Sequence, residues 1–172
     1  MIETDYPIEA LALLLREDCL PERYHPLISR REELIAGLRR LGCRRKNEAV
    51  ALPDGVLSPF VSGEGELRLL RRFFTLYDPD PRKFRELEKL ALDPDEREVY
   101  GELYHLPGVK QVRAALYCRA GYRSLAAIAG ASAGEILRAT AETIEREGLS
   151  CARPLPKEVR THIAVARAFT GK

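Results

Sequence analysis

Signals that start and stop helices recur along this chain at short intervals, and they constrain its fold more than any other feature. Asp80-Pro81 and Asp93-Pro94 each place a helix-capping residue before a proline suited to the first helical position. Ser132-Ala133-Gly134-Glu135 is a capping box. Gly42 and Gly121 follow apolar segments of helical period, where a left-handed glycine commonly ends a helix. These signals predict an all-α fold of short helices joined by tight turns.

Two of the predicted helices have further features, a capping residue in one and a wide apolar face in the other. Ser29-Arg30-Arg31-Glu32 matches a second capping box, so we expect Ser29 to cap the helix that follows it. Apolar residues between positions 67 and 77 cover a wide face, and a face of that width is typical of a central helix.

The helical period fails between Asn47 and Phe60. Apolar and polar residues alternate weakly there, around the sequence Pro53-Asp54-Gly55. Proline fixes φ and glycine accepts a positive φ, which is the chemistry of a tight turn. The segment therefore predicts a loop or a small β-hairpin near residues 47–60.

The junction at Asp93-Pro94 is the expected boundary between two units. Residues 1–92 would form an N-terminal helical unit of unknown role, and residues 93–172 a C-terminal helical domain. Nothing at the junction has the composition of a flexible linker, so we expect the two units to pack together.

Composition and charge exclude several classes of protein. A hydrophobic fraction of 45% with 31% charged residues is typical of a folded chain rather than a disordered one. No apolar run approaches the roughly 20 residues that cross a membrane, so we expect no membrane partner. The acidic first residues lack the basic region of a signal peptide, which favours a cytoplasmic protein with four free cysteines.

The C-terminal half resembles the helix-hairpin-helix superfamily. Leu106-Pro107-Gly108-Val109-Lys110 matches the apolar-x-Gly-apolar-Gly hairpin of that family, except that Lys110 stands where the second glycine is expected. Ala120-Gly121-Tyr122-Arg123-Ser124-Leu125 matches the turn that leads into the family's third helix. The resemblance covers about residues 93–169 and extends to bacterial proteins with a domain of unknown function built on this hairpin. It implies a helix-hairpin-helix-like fold for the C-terminal domain.

The resemblance also implies capture of phosphate groups at the hairpin. Glycine lets the backbone approach closely, and the amides that begin the next helix point at a phosphate oxygen. Basic charge is concentrated at the two hairpin-like turns, with four basic residues and no acidic one between residues 103 and 134. From residue 148 to 172 there are five basic residues and one acidic residue. The candidate nucleic-acid-binding residues are Gly108, Val109, Lys110, Gln111, Arg113, Arg123, Lys157 and Arg160.

Motifs of known enzyme chemistry are absent from the sequence. It contains no phosphate-binding Gly-x-x-x-x-Gly-Lys loop and no His-Glu-x-x-His helix, and its three histidines are widely separated. We therefore expect no catalytic residue, no cofactor and no metal. Two functions stay open. One is DNA or RNA backbone binding without sequence specificity, and the other is a protein–protein interaction adaptor that uses the hairpin fold only as a scaffold.

Overall fold

The computed structural model describes residues 2–172, and the backbone of this part is mostly helical, as the capping signals predict. It contains no strand, only one isolated antiparallel bridge between Pro7 and Arg45. Three 3-10 turns (Ile8–Ala10, Glu22–Tyr24 and Ser58–Phe60) separate some of the helices. The twelve α-helices of the described residues are α1 (Leu11–Leu14), α2 (His25–Ile28), α3 (Arg31–Arg40), α4 (Lys46–Val50), α5 (Asp54–Leu57), α6 (Glu64–Thr75), α7 (Pro81–Glu88), α8 (Pro94–Leu103), α9 (Gln111–Arg119), α10 (Leu125–Gly130), α11 (Ala133–Glu147) and α12 (Pro156–Thr170).

Most of the predicted caps form. The side chains of Asp80 and Asp93 accept hydrogen bonds from backbone amides in the first turns of α7 and α8. Ser132 Oγ accepts from the Glu135 amide at 3.2 Å, and the Glu135 carboxylate accepts from the Ser132 amide at 2.7 Å. The sequence pattern locates these helix starts correctly because both partners of each bond lie within a few residues of each other.

Two expectations about individual helices are wrong. Ser29 does not cap α3, because its hydroxyl donates to the Pro26 carbonyl at 3.1 Å and α3 begins at Arg31 without a side-chain cap. The helix over residues 67–77 is not the central one either. Its face is wide, but Leu76 is 36% exposed, whereas α12 buries side chains all round its axis.

The β-hairpin expected near residues 47–60 is absent. The segment instead holds the short helices α4 and α5 and a 3-10 turn. The Glu48 carboxylate accepts hydrogen bonds from the backbone amides of Arg44 and Arg45, which starts α4. Pro53 precedes the first turn of α5, and Gly55 lies inside that helix without a positive φ. The alternation of the sequence is therefore too weak to outweigh a local helix start.

The last helix, α12, organises the core. It packs against α1, α10 and α11, so that it joins the beginning of the chain to the end. The rings of Tyr6 and Phe169 illustrate this, with centroids 6.3 Å apart. The buried residues of α12 are Val159, His162, Ile163, Ala164, Val165, Ala166, Ala168 and Phe169.

One continuous hydrophobic core draws on residues before and after the expected boundary at Asp93. Polar contacts cross the same boundary, since Lys157 Nζ donates to the Leu20 carbonyl at 3.0 Å and Thr161 Oγ1 to the Cys19 carbonyl at 3.2 Å. The division into units 1–92 and 93–172 stays a prediction about chain organisation. Across residues 2–172 no helix combines the length and the apolar character that crossing a membrane requires.

Candidate nucleic-acid interface at the start of α9

The hairpin turn, residues 104–110, connects the end of α8 to the start of α9. Gly108 adopts a φ of +70°, which glycine tolerates without steric cost. Val109 is fully buried, and its amide donates to the Leu106 carbonyl at 3.2 Å. Gly108 is exposed, so the turn is anchored by Val109 and presents its glycine to solvent.

The carbonyl oxygens of the hairpin turn are hydrogen bonded from inside the protein. Lys83 Nζ donates to the Leu106 carbonyl at 3.0 Å and to the Val109 carbonyl at 3.2 Å. His162 Nε2 lies 2.8 Å from the Pro107 carbonyl oxygen. Since a carbonyl oxygen only accepts, this nitrogen carries the proton. Three carbonyls of the turn therefore face buried donors rather than solvent.

Lys83 is a functional residue of the turn that sequence reasoning missed. Only 8% of the residue is exposed, and burial lowers the pKa of its ammonium. A signal for it exists, because Lys83, Leu87 and Leu90 are spaced four and three residues apart, as on the apolar face of a helix. A lysine on such a face needs a hydrogen-bonding partner when the face is buried, and the turn supplies two.

His162 connects the hairpin turn to α9 as well as to α12. Its Nδ1 atom lies 2.7 Å from the Tyr117 hydroxyl, so Tyr117 donates to the unprotonated nitrogen. The histidine is 1% exposed, and burial lowers its pKa to about 4. His162 is therefore neutral at physiological pH, and each of its ring nitrogens takes part in one hydrogen bond.

The amides that begin α9 have no acceptor. None of the backbone N–H groups of residues 110–113 donates to any group within residues 2–172, and α9 has neither a side-chain cap nor an acidic residue in its first turn. Lys110 and Gln111 are exposed beside them. The Lys110 ammonium lies 3.9 Å from Glu86, in a pair whose side chains are more than 60% exposed. Solvent weakens such a pair strongly, so it leaves the Lys110 charge available.

The Arg113 side chain is not directed to solvent. Its Nε donates to Glu158 Oε1 at 2.9 Å, and its terminal nitrogens donate to Glu158 Oε2 at 3.4 Å and to the Ala152 carbonyl at 3.1 Å. Its side chain is 17% exposed. Arg113 therefore ties the start of α9 to the start of α12, and its charge is used inside the protein.

The side chains of the other three basic candidates contact groups outside the hairpin turn. Lys157 donates to the Leu20 carbonyl, and Arg160 faces Asp18 with 3.9 Å between Nε and Oδ2. Arg123 follows the far end of α9, about 13 Å of helix from its start, and donates to Cys118 Sγ. Of the eight candidates, the structure groups residues 108–111 and Arg113 at one turn.

Two large apolar side chains are exposed near the same turn. Val112, in the first turn of α9, is 64% exposed, and Leu155, which precedes α12, is 68% exposed. The contacts of Arg113 with Ala152 and Glu158 bring these two helix starts together. Apolar exposure of this kind occurs at protein–protein contact surfaces as well as singly on ordinary surfaces.

No group of three or more histidine, cysteine, aspartate or glutamate side chains is placed to hold a metal ion in residues 2–172. The four cysteines are free thiols. Burial raises the pKa of Cys19 to about 11, so its sulfur stays protonated and unreactive at neutral pH.

Comparison with known proteins gives no match: no family model, no curated protein and no solved structure is significantly similar to this chain. The helix-hairpin-helix resemblance stays a prediction from the motif residues. Function is therefore inferred from the residues of the chain and from their geometry.

Proposed function

We propose that this protein binds the backbone of DNA or RNA without sequence specificity and without catalysing a reaction, through residues 108–111. The observation that carries the proposal is the polarity of the hairpin turn. The carbonyl oxygens of Leu106, Pro107 and Val109 are bonded from inside by Lys83 and His162, while the amides of residues 110–113 have no acceptor within residues 2–172. The turn therefore directs three of its acceptors inward and leaves donors free where α9 begins.

A phosphate group fits this polarity. Free amides at a helix start and the helix dipole both favour an anion, and the Lys110 ammonium adds a full positive charge beside them. The backbone at Lys110 is extended, with a φ of −128°, so the lysine fits there without the strain that only a glycine would avoid. Compared with the glycine of the family hairpin, Lys110 prevents the closest approach of a phosphate to the backbone and adds a positive charge. Contacts of this kind hold a phosphate backbone and do not read bases.

The proposal is tested by fluorescence anisotropy with short single-stranded and double-stranded DNA at two salt concentrations. The informative variant is Lys110→Glu, because Arg113→Glu would also break the contact with Glu158 inside the fold. Arg68→Glu is the matched control, since Arg68 is 81% exposed on α6 and pairs only with Glu64. We expect binding that weakens as salt rises. For each phosphate contact on a duplex, log K should fall by about 0.9 for every tenfold increase in salt concentration.

The variants decide between a site at the turn and general charge attraction. Binding that Lys110→Glu removes and Arg68→Glu retains supports the hairpin site. Equal loss in both variants would mean that overall charge, and not residues 108–111, attracts the nucleic acid. No binding at low salt would overturn the proposal.

A second function, a protein–protein interaction adaptor, is favoured by the exposure of Val112 and Leu155. Arg113 is bonded to Glu158, whereas these two apolar side chains are exposed where α9 and α12 begin. An apolar contact responds little to salt. The adaptor is supported if a protein partner stays bound at high salt to the wild type but not to a Val112→Ser, Leu155→Ser double variant. Retention by both proteins would contradict it.

A further inference from the structure

A separate cavity of about 200 Å³ lies between α1, the turn joining α10 to α11, and α12. From α12 it receives Arg160, Ile163, Ala164 and Arg167. These positions are spaced three, one and three residues apart, so they share one face of the helix. The opposite walls include Leu13 and Arg16 at the end of α1, and Ala131 before α11.

The cavity carries an excess of positive charge. Its charged lining consists of Arg16, Arg160, Arg167 and a single acid, Asp18. Arg16 is paired with that acid, since its Nε and Nη2 atoms donate to the two carboxylate oxygens at 3.0 and 3.2 Å. Cys19 also lines the cavity, and its raised pKa keeps the thiol neutral. Asp18 balances the charge of Arg16, so the positive charges of Arg160 and Arg167 remain without a compensating acid in the cavity lining.

Those two guanidinium groups are incompletely bonded. The Arg160 side chain is 41% exposed, its Nε atom makes no hydrogen bond within residues 2–172, and the nearest carboxylate oxygen lies 3.9 Å from that atom. The Nε of Arg167 donates to the Ala129 carbonyl at 3.0 Å, and no carboxylate of the described chain lies within 4 Å of this side chain. Glu135, at the start of α11, is bonded to the Ser132 amide and does not neutralise them.

We propose that this cavity binds a small phosphate monoester, with Arg160 and Arg167 as its main contacts. A planar guanidinium offers paired donors that match phosphate oxygens. A phosphate monoester carries about −1.5 to −2 charges at neutral pH, which matches three arginines and one aspartate. The walls formed by Leu13 and Ile163 suit a short apolar substituent, and the volume suits a compact ligand rather than a polymer.

The site is independent of the proposed nucleic-acid interface. The Arg160 side chain faces Asp18, and no hydrogen bond or ion pair within residues 2–172 joins it to the hairpin turn. Lys110→Glu should therefore abolish DNA binding and leave phosphate monoester binding unchanged. Failure of one proposal is thus distinguishable from failure of the other.

The test is a titration of the full chain with phenyl phosphate, followed by the NMR signals of the arginine Nε–H groups. We expect saturable shifts of the Arg160 and Arg167 signals and no shift of Arg68. Benzoate, which has one charge, should bind more weakly, and phenol should not bind. Arg160→Gln should weaken phenyl phosphate at least tenfold, which corresponds to the loss of one charge-assisted contact. Arg68→Gln should bind as the wild type does.

Several outcomes would overturn the proposal. Shifts that do not saturate, or that appear at other arginines, would exclude the cavity. Benzoate binding as tight as that of phenyl phosphate would exclude the phosphate assignment. Because the Arg160 side chain makes no hydrogen bond within residues 2–172, its replacement should leave the protein folded. If Arg160→Gln does not fold, the titration of the wild type still decides, and Arg160→Lys tests whether charge alone suffices.

Discussion

The Nε2 atom of His162 lies 2.8 Å from the carbonyl oxygen of Pro107, and this contact joins the last helix of the chain to the hairpin turn. The second ring nitrogen accepts the hydroxyl proton of Tyr117 at 2.7 Å. A protonated histidine has no nitrogen left to accept that proton, and its charge would be buried. The neutral ring is therefore part of what holds the turn in place.

Stability should consequently depend on pH through His162. Its pKa is lowered by burial to about 4 from an ordinary value of 6.5, so the unfolded chain takes up a proton before the folded chain does. The stabilisation that the neutral His162 ring contributes is complete above pH 6.5 and is lost as pH falls toward 4. The slope is at most about 1.4 kcal/mol per pH unit. Urea denaturation at a series of pH values measures it.

The control for this effect is a variant of a second, partly buried histidine. Burial also lowers the pKa of His105, so that residue contributes in the same direction. We expect His162→Gln to flatten the dependence between pH 6.5 and 4 more than His105→Gln does. An unchanged slope in His162→Gln would show that this histidine does not titrate in the way its environment implies.

The contact between Arg113 and Glu158 should contribute measurably to stability. The pair is bidentate, and its side chains are 17% and 31% exposed, so solvent screens it only in part. We expect a coupling free energy of about 1 kcal/mol from a double-mutant cycle with alanine at both positions. The measurement is the free energy of unfolding in urea.

An exposed ion pair in the same chain provides the comparison. Arg68 and Glu64 are 81% and 89% exposed, with 3.5 Å between their charged atoms. Their cycle should give no more than about 0.5 kcal/mol. Equal coupling in the two cycles would contradict the view that Arg113 is a structural residue. Arg113 would then again be a candidate for binding nucleic acid.

Lys83→Met should destabilise the hairpin turn. Methionine has a similar length and fills the buried space, but it leaves the Val109 carbonyl without its donor, whereas the Leu106 carbonyl still accepts from the Val109 amide. An unsatisfied buried polar group costs about 1–3 kcal/mol, so the free energy of unfolding should fall by an amount in that range. Lys89→Met, at an exposed position just after α7, should change it by less than about 0.5 kcal/mol. Equal stability of Lys83→Met and wild type would show that the two hydrogen bonds contribute nothing net.

Helix starts whose partners are close in sequence could be predicted, and those with distant partners could not. Asp80 and Asp93 cap helices through amides two and three residues away, so the residues alone indicate them. In the segment 47–60 the start of α4 is local too, since Glu48 accepts from the amides of Arg44 and Arg45, but arginine is not a typical capping residue and the pattern does not indicate this start. The ends of the short helices there also depend on a distant residue. Arg71, about 20 residues away, donates to the carbonyls of Val50 and Leu52 and fixes the ends of these short helices.

The same distinction applies to the candidate interface. The sequence indicates a break between helices at Pro107-Gly108, where Gly108 has a positive φ, because a turn of this kind depends on neighbouring residues. Whether a basic side chain is free to bind a ligand depends on its contacts with residues that are distant in the sequence. Arg113 meets Glu158 across 45 residues, and Lys157 meets Leu20 across 137. A count of basic residues cannot distinguish a charge that is used internally from one that faces solvent.

Ser132 and Ser29 stand in the same sequence pattern, a serine followed three residues later by glutamate, and only Ser132 uses it. Ser132→Ala should lower the free energy of unfolding by about 1 kcal/mol, because the first turn of α11 loses its acceptor. Ser29→Ala should have a smaller effect, since the Ser29 hydroxyl bonds only to the Pro26 carbonyl at an exposed site. Thermal and urea denaturation of both variants measure the difference. Equal losses would mean that Ser29 caps α3 in solution, and a neutral Ser132→Ala would mean that packing, and not the capping box, determines where α11 begins.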